Sequence, residues 1–592
     1  MIKVSDFIAK RLAEKYRVPY VFMVSGGGAM HLNDSIGRYL PYLCNHHEQA
    51  CAIAAEGFAR VHQALGVVNV TTGPGGLNCL NGVFGQWTDS VPVLYISGQV
   101  KRATTLARCP DLPLRQLGDQ EVDIIACVKP ITKYAVCLTN PQDVAYVLDK
   151  AIYRATHGRK GPVWIDIPLD VQAAQVDETT LRTYSEQEDT LSLPDVTAPA
   201  AQTIRLLQQA QRPVVIAGHG IRLAGAIPLF LEFANRWHLP VVTTMNGFDV
   251  IAGDHPDFMA RIGTVANRAG NFMLQSADVV LALGTRNNIR QISYNWENFA
   301  KNAKLIAVDI DEAELNKPTI KPFLKIHADC LDFLRALLQH PAHRPPAPWL
   351  SWCREIKRNY PPLTEAPRVK HNPVEPYFFV DQLIRQFSAQ EVVVCGNGAA
   401  FLLPFQVGYV QQGQRYIWNS GNASMGYDLP AAIGACLANH RQRTVCLAGD
   451  GSIMMNLQEL QTLVHEQLPV KLFVLNNGGY NSIQQTQQNF FQGRMTACTP
   501  QSGVTLPDFI KVGRAFGLPT VRIDTKEDLP RQIQSVLKTP GPVLCEVVLS
   551  PGYNFAPKLS ARTLPDGTMV SPSLEDMAPF LNREELEKAR YH

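Results

Sequence analysis

An aspartate and an asparagine at the ends of two apolar runs are the residues whose chemistry the sequence marks most clearly. Asp450 lies in the Gly-Asp-Gly that ends RTVCLAGDG, and Asn477 lies where the next run, VKLFVLNNGG, ends. One helical segment separates the two runs, so both side chains should reach the carboxyl edge of one parallel sheet, where ligands bind in open α/β folds. Oxygen atoms of Asp450, Asn477 and the Gly479 backbone suit Mg²⁺ bridging a diphosphate. Glycines there let backbone N–H groups approach a phosphate, although a Gly-Asp-Gly by itself is more often a turn.

The elements that must position these residues are short β-branched strands alternating with helical segments. Strands that are apolar throughout are typical of parallel sheets covered on both faces. The pattern predicts the α/β class, with three doubly wound parallel-sheet domains. The predicted strands lie in residues 91–99, 212–220, 277–286, 304–311, 391–398, 443–451 and 470–479.

Two stretches follow one plan of helix, strand and Gly-rich turn, residues 4–28 and 377–398. We interpret them as copies of a duplicated domain that flanks a third one, the alternative being a chance likeness of two α/β domains. Polar, Pro-bearing stretches at 174–197 and 340–373 are the predicted linkers. The predicted units are residues 1–173, 195–340 and 370–550, followed by a tail, 551–592, that is too apolar for a free end and is expected to cover the site.

Composition excludes several classes of protein. Lys plus Arg number 55 and Asp plus Glu 52 in 592 residues, so the basic excess typical of nucleic-acid binding is missing. No apolar run reaches the roughly 18 residues of a membrane helix, and we expect no secretory signal because the first residues have charges throughout and no continuous apolar run. The 13 cysteines include no CxxC pair, which argues against a disulfide framework or a zinc site. We therefore expect a soluble, cytoplasmic, multidomain protein.

The string from residue 449 to residue 479 resembles the signature of thiamine-diphosphate enzymes, GDG followed by about thirty residues and NN. Further motifs resemble acetohydroxyacid synthases, and the resemblance extends from about residue 4 to residue 550. They are the turn TGPGGLN at 72–78, the string DSVPVLYISGQ at 89–99 and the segment DQE at 119–121. The resemblance implies a pyrimidine-binding, a central and a diphosphate-binding domain, in that order.

In the first of these domains the resemblance assigns a catalytic acid. Glu48 follows two histidines and opens an apolar helix, where a carboxylate is also simply favoured by the helix dipole. In the family, a glutamate here reaches across a subunit interface and shares a proton with the aminopyrimidine ring of the cofactor. The resemblance places Pro74 and Asn78 against that ring and assigns Gly28 and Gln120 to the catalytic site.

In the third domain, residues 419–430 resemble the family's SGGLGTMGFGLP stretch. Met425 corresponds to the wedge that keeps the cofactor bent, which brings its reacting groups together. The sequence CGNGA at 395–399 stands where the synthases have VGQHQ, so the family's His and Gln are missing and Asn397 with backbone amides must do more of the diphosphate binding. The remaining cofactor ligands that the resemblance implies here are Gly398, Ser424, Gly449, Gly451 and Ser452.

Short glycine motifs in the central domain resemble the FAD site of acetohydroxyacid synthases, where the flavin has no redox role in the main reaction. Related enzymes without FAD also keep the strand ending in DxD, so the glycines and Arg286 are the discriminating residues. The predicted FAD ligands are Gly218, Gly220, Gly263, Thr264, Gly284, Arg286, Asp309, Ile310 and Asp329.

These resemblances imply a carboligase that decarboxylates pyruvate and adds the two-carbon unit to a second carbonyl compound. It would use thiamine diphosphate, Mg²⁺ and FAD, act on small keto acids or ketones without nucleic acid or membrane, and assemble at least as a homodimer, with a homotetramer expected. A simple 2-keto acid decarboxylase and a flavin oxidase are alternatives. A non-enzymatic relative would have lost Glu48, Asp450 or Asn477, and all three are present.

The acceptor side departs from the synthase pattern. Thr486 replaces the family's tryptophan, Asp119 stands at the place of a phenylalanine, and Ile483 completes the predicted substrate pocket. A wider and more polar pocket resembles the branch that transfers an acetyl unit to ketones, including a nucleotide-linked keto sugar (yersiniose type).

Overall fold

Three parallel six-stranded sheets form the protein, whose structure is a computed structural model that describes residues 1–363, 373–563 and 566–591. In spatial order, the first sheet contains Tyr42–Cys44, Val21–Met23, Gly66–Val70, Val93–Gln99, Val163–Pro168 and Tyr134–Cys137; the second contains Phe258–Arg261, Val241–Thr243, Pro213–Ala217, Val279–Leu283, Lys304–Asp309 and Leu324–His327; the third contains Arg415–Ile417, Val392–Cys395, Thr444–Gly449, Val470–Asn476, Val543–Val548 and Thr520–Ile523.

The first and third sheets have the same strand order. Numbered along the chain within each sheet, both run 2-1-3-4-6-5, whereas the second sheet runs 3-2-1-4-5-6. The shared order agrees with the repeated plan that the sequence predicts. The second order is the one typical of dinucleotide-binding folds. The α/β class and the three parallel-sheet units are confirmed.

Helices lie on both faces of the sheets, which is why the strands are apolar throughout. No helix of the described residues is long and apolar enough to cross a bilayer. The described α-helices of five residues or more are Val4–Glu14, Met30–Tyr39, Glu48–His62, Pro74–Asn78, Leu80–Asp89, Ile124–Val128, Val144–Thr156, Thr197–Gln209, Ile227–Trp237, Arg268–Ser276, Glu312–Asn316, Cys330–Leu338, Ala347–Asn359, Pro376–Ile384, Ala399–Val407, Asp428–Ala438, Leu460–Glu466, Asn481–Phe490, Phe509–Ala515, Leu529–Lys538 and Arg583–Lys588.

The stretch 340–373, predicted as a linker, contains a packed helix, Ala347–Asn359. Trp349 of this helix is fully buried and donates from Nε1 to the Pro213 carbonyl over 3.0 Å. Prolines in a first helical turn are tolerated because the N–H groups they remove have no partner there, so these prolines start the helix instead of breaking it. The last part of that predicted linker, 364–372, lies outside the described residues.

Direct helix packing joins the first and third units. A Cβ atom added to Gly57 would overlap the Ala431 carbonyl, and one added to Gly434 would overlap the carbonyl of Ala54. The helices Glu48–His62 and Asp428–Ala438 therefore touch at their backbones, which requires glycine at both positions. Through this contact the third unit is fixed against the helix that begins with Glu48.

Candidate active site

Four loops at the carboxyl edge of the third sheet form one half of the candidate site. They follow four strands of that sheet and contain residues 396–398, 423–426, 449–452 and 477–479. The Asn397 amide donates to the Ala423 carbonyl over 2.9 Å, and the Gly426 N–H donates to Ser452 Oγ over 2.9 Å. One amide hydrogen of Asn397 therefore holds the neighbouring loop in place. This role is additional to the diphosphate binding that the sequence predicts for Asn397.

Asp450 fixes the two loops that the sequence assigns to the metal. Its Oδ2 accepts the N–H groups of Asn477, Gly478 and Gly479 at 2.9, 2.9 and 3.1 Å. Its Oδ1 accepts the Gly451 N–H at 2.7 Å. Burial raises the pKa of this carboxyl group to about 6, and the backbone N–H donors oppose that shift. The carboxylate thus fixes the two loops relative to each other at the sheet edge.

The Asn477 side chain presents an unused oxygen. Its Oδ1 is buried and has no hydrogen-bond partner among the described residues, while its Nδ2 donates to the Tyr553 hydroxyl over 3.2 Å. A buried polar atom without a partner is costly, and a divalent cation would satisfy it. The Asp450 carboxylate is bound to the same loop, which also contains the Gly479 carbonyl, and these oxygen donors fit Mg²⁺.

The remaining predicted ligands of this half lie around those loops. Ser424 Oγ donates to the Met425 carbonyl over 2.9 Å and accepts from Asn81 Nδ2 of the first unit over 2.5 Å. Met425 is half-buried, so its side chain is available as a wedge. Gly451 packs against the Tyr480 ring, which occupies the place of a side chain, and Gly398 has a φ of +58°.

The other half of the site lies at the carboxyl edge of the first sheet. Glu48 begins its helix behind His47, whose Nδ1 accepts the Gln49 N–H over 3.1 Å. The Glu48 carboxylate accepts from Asn78 Nδ2 over 2.9 Å and lies close to Gly75. The short helix that begins at Pro74 therefore brings the Asn78 amide within hydrogen-bonding distance of the Glu48 carboxylate.

Gly28 and Gln120 border the same turn. The Gly28 N–H donates to Thr71 Oγ1 over 3.1 Å. The Gln120 carbonyl lies against Gly73, so closely that a side chain at residue 73 would overlap it. The structure thus places Gly28, Glu48, Pro74, Asn78 and Gln120 around one turn at the edge of the first sheet.

Within one chain, hydrogen bonds such as that from Asn81 to Ser424 join the two units, but the described residues show none from Glu48 to the metal loops. Among the described residues, no hydrogen bond joins the first-sheet group, Gly28, Glu48, Pro74, Asn78 and Gln120, to the third-sheet group at the metal loops. Glu48 is half-buried and Asn78 is exposed. Apolar side chains of the same unit are also exposed, namely Met30, Leu77, Phe84 and Trp87, with exposed fractions of 53%, 39%, 42% and 38%.

The predicted acceptor residues are all exposed. Ile483 and Thr486 lie on the helix Asn481–Phe490, and the Thr486 hydroxyl donates to the Ser482 carbonyl over 3.1 Å. Asp119 precedes Gln120 in the first unit. The Thr486 hydroxyl is therefore bound to its own helix. Compared with a tryptophan, this residue leaves more room for a substrate but provides no free hydroxyl group.

A separate cleft lies between the first, central and third units. Its cavity volume is about 310 Å³, and the cleft is partly open to solvent. Six of the nine predicted FAD ligands line it, whereas Gly218, Gly263 and Thr264 do not. The six are Gly220, Gly284, Arg286, Asp309, Ile310 and Asp329. Thr264 instead donates from its N–H and hydroxyl to the carbonyl of Arg290, a lining residue, at 3.0 and 2.8 Å.

Sequence reasoning missed the contribution of the first unit to this cleft. Arg159 and Lys160 line it, and Arg159 binds Asp311 at 2.6 Å and Glu314 at 3.0 Å. Burial raises the pKa of Asp309 in the same lining to about 6. No local motif marks the two cations, because only the packing of the units brings them there. Tyr553 and Asn81 were missed at the main site for the same reason.

Family models match all three units. The model described as "Thiamine pyrophosphate enzyme, N-terminal TPP binding domain" matches residues 2–126, the central-domain model of the same enzymes matches 200–337, and the C-terminal TPP binding domain matches 398–547.

Curated relatives match over nearly the full length. The acetolactate synthase large subunit of Cyanidium caldarium is 30% identical over 577 residues, covering 95% of this chain and 95% of its own. The acetolactate synthase isozyme 2 large subunit of Escherichia coli (strain K12) is 31% identical over 560 residues, covering 94% and 97%. The chloroplastic acetolactate synthase 1 of Oryza sativa subsp. japonica is 30% identical over 566 residues, covering 92% and 84%.

Proposed function

The chain belongs to the thiamine pyrophosphate enzyme family, and we propose that it is a thiamine-diphosphate-dependent carboligase of the acetolactate synthase type. It decarboxylates pyruvate and joins the two-carbon unit to a second carbonyl compound. The observation that supports this most directly is the unpartnered Asn477 Oδ1 next to the Asp450 loops. A buried oxygen without a partner, within the motif at 449–479, is what we expect of a cation site that is completed when the cofactor binds.

Asp450, Asn477 and the Gly479 carbonyl would hold Mg²⁺. Asn397, Gly398, Gly449, Gly451 and Ser452 would surround the diphosphate, since their loops meet at one sheet edge. Met425 and Ser424 would position the rest of the cofactor. When bound, thiamine diphosphate supplies the electron sink for loss of CO₂, while the protein contributes orientation and a dry pocket.

Glu48 would share a proton with the aminopyrimidine ring of the cofactor. Its Oε2 is already held by Asn78, which leaves Oε1 for the ring and fixes the plane of the carboxyl group. General acid–base catalysis requires such a positioned group. Gly28 and Gln120, on the same edge, would border the reacting atoms.

A second copy of the chain would complete the site. The first-sheet group containing Glu48 is partly exposed and lies in a unit with exposed apolar side chains, whereas proton sharing by a carboxyl group works best away from water. Covering that face with the third unit of another copy would both bury it and join the halves. We therefore propose a homodimer or a higher homo-oligomer.

The cleft between the three units would hold FAD. Its lining combines the glycines of two strand ends, Gly220 and Gly284, with Arg286 and Arg290, groups suited to a diphosphate. The 3-2-1-4-5-6 strand order of the central sheet supports a dinucleotide there. The flavin would have a structural role, as the resemblance implies.

The acceptor is proposed to include ketones bulkier than a second pyruvate. Thr486 and Ile483 are exposed on one helix and leave room where the family has an indole ring. A nucleotide-linked keto sugar is the bulkiest acceptor that this proposal includes.

Mass spectrometry of the products tests the function. Pyruvate alone should give acetolactate, and pyruvate with a panel of ketones should give the corresponding tertiary alcohols as well. The variant Glu48→Gln serves as the control for cofactor-dependent turnover. Acetaldehyde as the sole product would favour the simple decarboxylase, and bleaching of the flavin by pyruvate without oxygen would favour an oxidase.

A further inference from the structure

Tyr553 connects the C-terminal tail to the proposed cation site. It lies beyond the last strand of the third sheet, Val543–Val548, and its side chain is 7% exposed. Its hydroxyl oxygen accepts from Asn477 Nδ2 over 3.2 Å. No motif of the sequence marks this tyrosine, and the resemblance assigns it no role.

The same residue is anchored independently through its backbone. The Tyr553 carbonyl accepts from Gln485 Nε2 over 3.0 Å and from Asn481 Nδ2 over 3.4 Å. The tail is held again where Lys558 donates to Gln485 Oε1 over 3.0 Å. Because these contacts do not use the phenol group, the ring would stay in place even without its hydroxyl.

The Asn477 backbone is likewise fixed without its side chain. Its N–H binds Asp450 Oδ2, so the position of residue 477 does not depend on Tyr553. The orientation of the amide plane does depend on a partner, because the two ends of an amide have nearly the same shape and opposite hydrogen-bonding character. The partner that the structure gives to Nδ2 is the Tyr553 hydroxyl.

We propose that Tyr553 is a positioning residue for the divalent cation. By accepting from Nδ2, its hydroxyl turns Asn477 Oδ1 toward the metal side, where that oxygen is buried and unpartnered. The opposite orientation would place N–H groups on the cation, which binds only oxygen. The inference rests on the proposed function, since it takes Asn477 as a metal ligand.

Mn²⁺ binding to the protein with thiamine diphosphate present tests the proposal directly. The free Mn²⁺ signal in electron paramagnetic resonance gives the affinity without a measurement of activity. Groups that orient metal ligands typically contribute about 10- to 100-fold to metal affinity. We expect Tyr553→Phe to bind Mn²⁺ at least about tenfold more weakly, with an unchanged midpoint of thermal unfolding in the metal-free protein.

Tyr377→Phe is the matched control. Tyr377 is fully buried, and its hydroxyl donates to Gln406 over 2.7 Å and accepts the Ala556 N–H of the tail over 2.8 Å. Removing that hydroxyl disturbs the tail but leaves the hydrogen bond of Asn477 intact. Mn²⁺ affinity should stay within about twofold of the wild type, against the tenfold expected for a metal-positioning group.

A double-mutant cycle identifies the route of the effect. If Tyr553 acts through the Asn477 amide, Asn477→Ala and Asn477→Ala/Tyr553→Phe should bind Mn²⁺ equally, because neither has an amide to orient. Wild-type affinity in Tyr553→Phe, or an equal further loss in the Asn477→Ala background, would overturn the role of Tyr553 alone. A wild-type protein that binds no Mn²⁺ would overturn the proposed metal site and this inference with it.

Discussion

Asn45 donates from Nδ2 to Glu459 Oε2 over 2.8 Å, although 414 positions separate the two buried residues. The other oxygen of Glu459 accepts the His46 N–H over 2.9 Å. Asn45 and His46 lead into Glu48, and Glu459 lies in the segment that follows Asp450. Within a single chain, the Glu459 carboxylate therefore ties the segment that precedes the predicted acid, Glu48, to the segment that follows the predicted metal ligand, Asp450.

Replacing Asp450 should abolish cofactor retention. Asp450→Ala removes the charged oxygen donor and leaves four backbone N–H groups without their acceptor, so we expect thiamine diphosphate to be lost on desalting. Unmet hydrogen bonds should also lower the free energy of unfolding by about 1–3 kcal/mol. Cofactor assay after gel filtration and denaturant titration measure the two effects.

Asp524→Ala, an exposed carboxylate of the same unit, is the control for this experiment and should change neither quantity. Full cofactor content in Asp450→Ala would refute the metal assignment.

Glu48→Gln should separate catalysis from binding. Gln keeps an oxygen that accepts from Asn78 but cannot share a proton, so turnover should fall by roughly 10²–10⁴ while cofactor content changes little. Steady-state rates of pyruvate consumption and a thiamine diphosphate assay check this. A normal rate would exclude Glu48 as the acid.

Bound FAD should give the purified protein a yellow colour that pyruvate does not bleach. Ile310 lines the cleft and is half-buried, so Ile310→Trp should fill the space and release the flavin while thiamine diphosphate stays bound. Chromatography of the supernatant after heat denaturation identifies the nucleotide. A colourless wild-type protein with full activity would mean that the cleft has no flavin role.

Thr486→Trp should narrow the acceptor side. A ring at this exposed position restores an apolar wall, and such contacts discriminate small substrates by about 1–3 kcal/mol. Tertiary alcohols from ketones should therefore fall about tenfold or more relative to acetolactate, as measured by mass spectrometry.

Gln488→Trp, also exposed on the same helix, should leave that product ratio unchanged. Equal loss of both products in Thr486→Trp would show a general disturbance of the helix instead of acceptor selection.

Asp166 should give the stability of the protein a measurable pH dependence. This carboxyl group is 2% exposed, and burial raises its pKa to about 7, although Ser97 and Gln99 donate to it at 2.5 and 2.9 Å. The unfolded value is about 3.9. Between roughly pH 4 and pH 7 the unfolded chain releases this proton and the folded protein keeps it. The contribution of Asp166 to the free energy of unfolding therefore falls as pH rises, by about 1.4 kcal/mol per pH unit.

Asp166→Asn removes that titration, so its stability relative to the wild type should rise with pH across the same interval. Denaturant unfolding at several pH values between about 4 and 7.5 measures it. A difference that does not change with pH for Asp166→Asn would show that the carboxyl group is ionised in the folded protein.

The local elements around the site could be predicted from the sequence. The strands Thr444–Gly449 and Val470–Asn476 lie inside the predicted runs 443–451 and 470–479, because a continuous β-branched run between glycines has few alternatives to a buried parallel strand. The one helical segment predicted between these runs is divided into a short α-helix, Asp450–Ile453, a 3₁₀ segment, Met454–Glu459, and a second α-helix, Leu460–Glu466. Asn456, with φ −139°, interrupts the 3₁₀ segment and donates from its amide to the Gly426 carbonyl over 2.8 Å.

By itself, the sequence determined the fold class and the repeated plan of helix, strand and turn, since these depend on periodicity and on turns a few residues long. The roles of the site residues came from the family resemblance and stay predictions. Only the tertiary structure decided that Asn477 Oδ1 has no partner, that Tyr553 holds the Nδ2 of the same amide, and that Arg159 reaches the central cleft. Each of these depends on the packing of segments that are far apart in the chain. Such packing is set by the summed burial of whole faces, which a local pattern of residues does not encode.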